Sequence, residues 1–309
     1  MECSIRNYTP KDEDRVVEIQ QRYKETHQSY WIREGKLYSE HPAFEQGKNI
    51  FIAFNGQDAP AAFSPIFPAI ADEGEVEPHH LWIDILYNPF DPNYLKINDA
   101  LFERVQKRGL ALKKTYNGHP CVFATLQMGD DLEAMNFFHS KGFEETTRLL
   151  TMRRDLKNKL PQIPDKEGFV VRGYQLDGKE IIEKYLQADR MANPSSPLTR
   201  EKLEWNLENP WKNGEGYGIF TKEGDLLAST MTYSIEKDIT MTEEIFVIPS
   251  YQGKGLGKLL LAEVLQRLKD KGAVTVELEV KSDNKPATSL YQKLGYITVK
   301  EECTLKLEL

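Results

Sequence analysis

A run of alternating glycines in the second half of the chain is the residue pattern with the clearest chemistry. Residues 246–257 read Phe-Val-Ile-Pro-Ser-Tyr-Gln-Gly-Lys-Gly-Leu-Gly, with glycine at positions 253, 255 and 257. A loop without side chains exposes its backbone N–H groups, and a helix that starts there adds the positive end of its dipole. The spacing therefore predicts a ligand that carries phosphate groups.

Two nucleotide-binding loops are disfavoured by the spacing. The P-loop of nucleotide hydrolases has the order Gly-x-x-x-x-Gly-Lys-Ser/Thr, whereas here Leu259 follows Lys258 in place of the hydroxyl residue. The dinucleotide fold has the order Gly-x-Gly-x-x-Gly, and this loop reads Gly-x-Gly-x-Gly. A glycine-rich turn can also be purely structural, so the flanking segments decide between the readings.

The segments after the loop have the periodicities of a helix, a strand and a second helix. Leucine and valine recur at helical spacing from near Leu256 until Gly272, which predicts an amphipathic helix with a glycine at its end. Residues 274–280 alternate as a strand with period two, and Asn284 is placed to cap a last helix that ends before Gly295.

These motifs together resemble those of the GNAT acyltransferases, a family that binds acetyl-CoA. The loop reads Gln-Gly-x-Gly-x-Gly after Val-x-Pro, and the last helix fills the pattern Asn-x-x-Ala-x-x-x-Tyr-x-x-x-Gly-aromatic. The resemblance covers roughly residues 169–309. It implies acetyl-CoA as the co-substrate, with pantetheine along the strand before the loop and pyrophosphate on the loop. The residues that it assigns to acetyl-CoA are Phe246, Val247, Ile248, Gln252, Gly253, Lys254, Gly255, Leu256, Gly257, Lys258, Asn284 and Tyr291.

Acetyl transfer to an amine also requires a base for the amine proton and an acid for the leaving thiolate. Three carboxylates are candidate bases: Glu244 first, then Glu279 on the neighbouring strand, then Glu243. Period-two alternation sends Glu243 and Glu244 to opposite faces, so only one is expected to face the cleft. The resemblance makes Tyr291 the candidate general acid. A solvated strand carboxylate and a core tyrosine are the structural alternatives.

The first half of the chain contains weak echoes of the second. The segment 137–143 echoes 290–296, and 84–89 echoes 244–249 with Asp84 at the place of Glu244. Where the second half has its glycine loop, residues 92–97 read Pro-Asn-Tyr-Leu-Lys-Ile, whose side chains block close approach of a pyrophosphate. Phe138 replaces the tyrosine. We therefore expect a degenerate copy of the same fold.

Two domains follow from these echoes and from a change in composition. Residues 158–168 include two prolines and no apolar period, which predicts a linker between a degenerate GNAT-like domain at 1–157 and a catalytic domain at 169–309. The predicted fold class is α/β, an α+β arrangement with a mixed sheet, as two tandem GNAT folds.

Composition limits the partners. A formal net charge of −8 disfavours a nucleic-acid surface, and no apolar stretch is long enough to span a membrane. The N-terminus has no signal-peptide core, so we expect a cytoplasmic protein. The expected oligomeric state is a monomer or a homodimer. The three cysteines lack Cys-x-x-Cys spacing, and His79 and His80 are taken for surface residues without further ligands, so no metal is predicted.

The expected function is transfer of an acetyl group from acetyl-CoA to the amine of a small molecule or peptide. The alternative from another class is a non-catalytic acyl-CoA binding or sensing protein, in which the loop is intact but no base is positioned. Transfer of an aminoacyl or longer acyl group is disfavoured by the intact loop and the absent basic patch.

Overall fold

The chain folds into two units in the computed structural model. The structure describes residues 3–27, 30, 32–72, 77–116, 119–164 and 166–309. Unit 1 comprises Met1–Thr147 with Glu302–Leu309, and unit 2 comprises Arg148–Glu301. The predicted linker at 158–168 lies within the bounds of unit 2, and its Asp165 lies outside the described residues. The predicted domain bounds are based on composition, whereas the two units are defined by contacts in space.

Unit 1 contains a mixed sheet with helices against it. Its elements are β1 (Ser4–Asn7), α1 (Glu13–Thr26), α2 (Gly35–Glu40), β2 (Ile50–Phe54), β3 (Pro60–Ala69), β4 (His79–Ile83), β5 (Leu86–Tyr87), α3 (Tyr94–Thr115), β6 (Cys121–Met128), α4 (Leu132–Ser140) and the start of β7 (Glu144–Asp155). Strands β1 to β4 pair antiparallel in order, β5 also pairs with β3, and β4 pairs parallel with β6.

Unit 2 repeats this plan. Its elements after the end of β7 are β8 (Val171–Tyr174), α5 (Lys179–Ala192), α6 (Arg200–Glu208), β9 (Glu215–Phe220), β10 (Leu226–Glu236), β11 (Ile239–Val247), α7 (Leu256–Asp270), β12 (Thr275–Lys281), α8 (Lys285–Lys293) and the start of β13 (Ile297–Glu308). Strands β8 to β11 pair antiparallel, β11 pairs parallel with β12, and β12 pairs antiparallel with β7. The predicted mixed α/β class is confirmed.

The helix and strand after the glycine loop form where the sequence predicts them. Helix α7 buries one apolar face in the core of unit 2, with Leu260, Leu261 and Val264 fully buried. The chain leaves the helix through Gly272 at φ +89°. Asn284 caps α8 through its side chain, which accepts a hydrogen bond from the N–H of Ala287 at 3.2 Å.

Each unit receives a strand segment from far away in the sequence. In unit 1, residues 302–308 of β13 pair antiparallel with β6, and Cys303 and Leu305 are buried in the unit 1 core. In unit 2, residues 149–155 of β7 pair with β12, and Met152 and Leu156 join the unit 2 core. Both cores therefore depend on pairings between distant parts of the chain.

Candidate active site

Strand β11 contains a β-bulge at the two adjacent glutamates. The register of β10 against β11 shifts between Ser229 and Met231, so Thr230 faces two residues of β11. Glu244 adopts φ +48°, in the left-handed region that non-glycine residues rarely occupy. Thr230 donates a hydrogen bond from Oγ1 to the carbonyl of Glu243 at 3.1 Å. This bond fixes the backbone at the bulge.

Beyond the bulge, no strand among the described residues pairs with one edge of β11. The parallel pairing with β12 extends only over Ile239–Met241. On the other edge, the N–H of Ile248 donates to the carbonyl of Leu227 at 2.9 Å. Since backbone groups alternate along a strand, the N–H of Val247 points to the edge that β12 has left. An extended ligand can add to β11 there.

The glycine loop joins this edge to the start of α7. A 3₁₀ turn over Pro249–Tyr251 leads into the loop, and Gly253 and Gly255 have φ of +73° and +79°. Gln252 stabilises the turn by donating from Nε2 to the carbonyl of Val247 at 2.9 Å. Within the described residues, no acceptor takes a hydrogen bond from the N–H groups of residues 253–258. These donors therefore remain available to an anion.

Positive charge and close packing accompany the free N–H groups. The ammonium of Lys254 lies 4.3 Å from the ring centre of Tyr251, and Lys258 is exposed in the first turn of α7. At Gly257, an added Cβ would lie 3.3 Å from Cδ2 of Leu290 in α8. A glycine at this position lets the start of α7 approach α8 closely.

Glu244 is the half-buried carboxyl at the bulge. Burial raises its pKa, and the nearby carboxylates of Asp189 and Glu243 raise it further, while Lys202 opposes them. Asp189 itself is buried and accepts hydrogen bonds from the N–H of Leu198 and from Asn193 Nδ2, at 2.6 and 2.7 Å. A carboxyl whose pKa lies above its ordinary value is a stronger base once it is ionised.

Glu243 is held by an indole. Trp211 is 2% exposed and donates from Nε1 to Oε2 of Glu243 at 2.7 Å. Burial raises the pKa of Tyr185 on α5, and the nearby carboxylates of Glu244 and Glu243 raise it further. The bulge interrupts the regular alternation of side chains next to Glu243.

Glu279 lies on β12, beyond the part of that strand that pairs with β11. Its side chain is exposed, and its residue pairs with Thr151 of β7. Together with Glu243, it raises the pKa of Tyr233, whose own burial is the larger cause. Glu279 is thus exposed, whereas Glu243 and Glu244 are half-buried.

Tyr291 lies on the buried face of α8. It is 5% exposed, and burial raises its pKa to about 12. Within the described residues its hydroxyl has no hydrogen-bond partner, and its ring centre lies 6.0 Å from that of Tyr296. The hydroxyl therefore remains protonated at neutral pH and available as a donor.

The equivalent region of unit 1 differs at each of these features. The register of β3 continues from β4 to β5 without an inserted residue, so no bulge forms between these described strands. At the place of the glycine loop, Tyr94 stacks on Tyr87 with ring centres 5.1 Å apart. Phe138 is buried, and burial raises the pKa of Asp84 to about 6. Aromatic packing thus replaces the anion-binding features in unit 1.

Comparison with known proteins shows what this site is similar to. The model of the acetyltransferase (GNAT) family matches residues 180–296, from the first turn of α5 to the aromatic residue after α8. This part of unit 2 is therefore similar to a GNAT acetyltransferase domain. The match includes the bulge, the glycine loop and Tyr291.

Relatives of the GNAT domain include the mycothiol acetyltransferases. That of Brachybacterium faecium is 33% identical over 53% of this chain and 52% of its own, and that of a Nocardioides species is 29% identical over 54% and 63%. The chain thus spans about half the length of these curated relatives.

Solved structures extend the likeness to both units, as fold alone. A GCN5-related N-acetyltransferase from Sphaerobacter thermophilus aligns over 99% of this chain and 95% of its own, with a TM-score of 0.68 at 15% identity. A tandem GNAT protein from the clavulanic acid biosynthesis pathway aligns over 99% and 98%, with a TM-score of 0.59 at 12% identity. The tandem arrangement expected from the sequence therefore has a counterpart of known structure.

Sequence reasoning missed three side chains near the site. Tyr185, Asp189 and Lys202 carry no motif that could mark them as site residues. Their proximity to the glutamates depends on how α5 and α6 pack on the sheet, which periodicity does not report.

The remaining polar groups have structural surroundings. In the part of the chain that the structure describes, no group of three His, Cys, Asp or Glu side chains is placed to hold a metal ion. His79 is buried and accepts a hydrogen bond at Nδ1 from the N–H of Ala71 at 3.0 Å, so the expectation of a surface histidine was wrong for this residue. Among the described residues, no helix has the length and apolar content needed to cross a membrane.

Proposed function

We propose that this protein is an acetyl-CoA-dependent N-acetyltransferase, with its working site in unit 2 and an amine of a small molecule or peptide as acceptor. The observation that carries the proposal is the junction of two features on β11. The unpaired edge at Val247 leads directly into a loop whose N–H groups at residues 253–258 have no acceptor among the described residues. Such a junction suits one ligand with an extended amide arm and a diphosphate.

The donor is held in two places in this proposal. The pantetheine arm lies along the free edge of β11, and the diphosphate accepts hydrogen bonds from the N–H groups of the glycine loop. The N–H of Val247, directed to the free edge, is suited to donate to the thioester oxygen as negative charge develops there. The side-chain oxygen of Asn284 accepts a hydrogen bond from the N–H of Ala287. Its contribution is therefore to cap α8 beside the pantetheine arm.

The reaction is direct attack. The acceptor nitrogen forms a bond to the thioester carbonyl carbon as the carbon–sulfur bond breaks, a carboxylate removes one proton from the amine, and the thiolate takes a proton from Tyr291. We assign the base to Glu244, because it is half-buried at the bulge with a raised pKa. Glu243 is held by Trp211, and Glu279 is exposed. Both are therefore secondary candidates.

Calorimetric titration with acetyl-CoA tests the donor site. Gly255→Val and Gly272→Val are matched variants, since both glycines have positive φ, at +79° and +89°, and lie at opposite ends of α7. Each substitution costs about 1–2 kcal/mol of backbone strain, but only Gly255→Val fills the proposed diphosphate site. We expect one site in the wild type and in Gly272→Val, and about 100-fold weaker binding or none in Gly255→Val.

Release of free CoA on addition of amines distinguishes the enzyme from its main rival. A non-catalytic acyl-CoA binding or sensing protein gives the same titrations without thiol release for any amine. Absence of acetyl-CoA binding by the wild type rejects both functions and leaves the glycine loop as architecture.

A further inference from the structure

The segment before β8 lies against unit 2. Leu160, Ile163 and Phe169 pack against the unit 2 core, and Arg154 donates a hydrogen bond to the carbonyl of Lys159. The ring of Phe169 meets that of Tyr251 edge-on at 6.2 Å, at the turn that leads into the glycine loop. We refer to residues 159–164 and 166–169 as the docked segment. Its composition is that of a linker, but its apolar side chains fix it beside the loop.

Lys166 of the docked segment reaches the glycine loop. A Cβ built on Gly255 would lie 3.3 Å from Cε and 3.5 Å from Nζ of Lys166. Gly255 therefore supplies a positive φ and also leaves the space that the lysine occupies. Lys166 is exposed and makes no ion pair with a described residue. Its charge therefore remains uncompensated within the described part of the chain.

This ammonium lies next to the N–H groups that receive the diphosphate in the proposed function. Those N–H groups are at the N-terminus of α7, where the helix dipole favours an anion. A diphosphate bound there gains a charge-assisted contact from Lys166 in addition to the backbone donors. Lys166 also lies outside residues 180–296 that match the GNAT family model, so the family motif does not assign it.

We propose that Lys166 is a diphosphate-binding residue of the acyl-CoA site, held in place by the docked segment. This inference rests on the proposed function. It adds to the site a residue from the segment that precedes the first strand of the domain. Because the ammonium is exposed, water and salt weaken its contact, and its effect on affinity is moderate.

Calorimetry with acetyl-CoA on wild type, Lys166→Met and Lys269→Met tests the proposal. Both variants remove one positive charge and keep an apolar side chain of similar length. Lys269 is exposed in the last turn of the 15-residue helix α7, about 20 Å from its start. We expect Lys166→Met to raise Kd about tenfold, with Lys269→Met equal to wild type. The difference should shrink at high salt.

Two further ligands locate the contact. With acetyl-dephospho-CoA, which lacks the ribose 3′-phosphate but retains the diphosphate, the effect of Lys166→Met should persist. With S-acetyl-pantetheine as a competitor of acetyl-CoA, wild type and Lys166→Met should show the same inhibition constant. Loss of the effect with acetyl-dephospho-CoA assigns the lysine to the 3′-phosphate and overturns the proposal. Equal acetyl-CoA affinity of wild type and Lys166→Met overturns it while the proposed function stands. Absence of wild-type binding removes both.

Discussion

Glu244 combines a strained backbone, partial burial and neighbouring negative charge. Its φ of +48° is forced by the bulge, and its pKa is raised by burial and by Asp189 and Glu243. Each of these features costs folding free energy. This combination supports the proposal that Glu244 is the base, because strained and desolvated ionisable groups are common at functional sites.

Substitution Glu244→Gln should lower kcat about 100-fold or more and leave the Kd for acetyl-CoA unchanged, because the side chain acts on the acceptor proton. The pH profile of kcat/KM gives the second measurement. In the wild type, the acid limb should have its midpoint above 4.5, the ordinary value for glutamate, since its pKa is raised. Glu279→Gln is the control. If that variant loses activity and Glu244→Gln retains it, the base is Glu279.

The substitution Glu244→Gln should stabilise unit 2 at neutral pH. Because the folded state raises the pKa of Glu244, it binds more protons than the unfolded chain between pH 4.5 and the raised value. Stability from this group therefore falls as pH rises through that window. Glu244→Gln should raise Tm by about 1–3 °C at pH 7 and converge with wild type near pH 4. Glu201→Gln at an exposed position is the control, and its Tm should equal that of the wild type.

Tyr291→Phe should lower kcat by about 100-fold with the Kd for acetyl-CoA unchanged, because a phenylalanine keeps the packing and loses the proton donor. A pKa of about 12 keeps the wild-type hydroxyl protonated throughout the assay range. Tyr296→Phe is the matched control, since its ring is 6.0 Å away in the same core. Turnover by Tyr291→Phe at the wild-type rate with saturating acetyl-CoA contradicts the general-acid role.

At the scale of elements, the bulge in β11 depends on a hydrogen bond from the neighbouring strand. Thr230 and Thr232 on β10 both donate from Oγ1 to a backbone carbonyl, to Glu243 on β11 at 3.1 Å and to Glu215 on β9 at 3.0 Å. Only the bond from Thr230 holds the segment that carries the candidate base.

Thr230→Val and Thr232→Val should each cost about 1 kcal/mol of stability, since each removes one buried hydrogen bond. Only Thr230→Val should also lower kcat, by about tenfold, because a misplacement of the base reduces its contact with the acceptor. Thermal unfolding and steady-state rates measure the two effects. Equal kcat in the two variants shows that the bulge keeps its geometry without this bond.

Local elements could be predicted from the sequence, and pairings between distant segments could not. Helices α7 and α8 and strand β12 formed close to their predicted bounds, because periodicity and capping residues such as Asn284 act over a few positions. The pairing of β12 with β7 joins residues more than a hundred positions apart and leaves no period in the sequence. The same limit hid Lys166, whose segment reads as a polar linker.

At the scale of the molecule, the two units share a plan and differ in their site features. Unit 2 has the bulge and the glycine loop. In unit 1 the register of β3 is continuous from β4 to β5, and Tyr87 and Tyr94 stack. A degenerate role for unit 1 stays a prediction. The stoichiometry of the acetyl-CoA titration tests it, since a second site per chain contradicts it.

Removal of residues 302–309 should destabilise unit 1, although those residues follow unit 2 in the sequence. Strand β6 loses its seven pairs with β13 and keeps those with β4, and the unit 1 core loses Cys303 and Leu305. We expect calorimetry of the truncated chain to show loss of the unit 1 transition, with acetyl-CoA binding at unit 2 retained. Removal of Leu309 alone should have a smaller effect, because it takes away the hydrogen bond to the carbonyl of Cys121 and none of the seven strand pairs. An unchanged unfolding profile of the longer truncation contradicts the assignment of this segment to unit 1.

The position of that segment also fixes the order of events during synthesis. A ribosome releases the chain from its N-terminus, so most domains can fold before the residues behind them are made. Unit 1 lacks this option. Its sheet stays one strand short, with β6 as an open edge, until residue 308 has left the exit tunnel. Unit 1 can therefore complete its sheet only after the whole of unit 2 has been synthesised. Until then, the exposed edge of β6 can bind molecular chaperones or pair with a wrong strand.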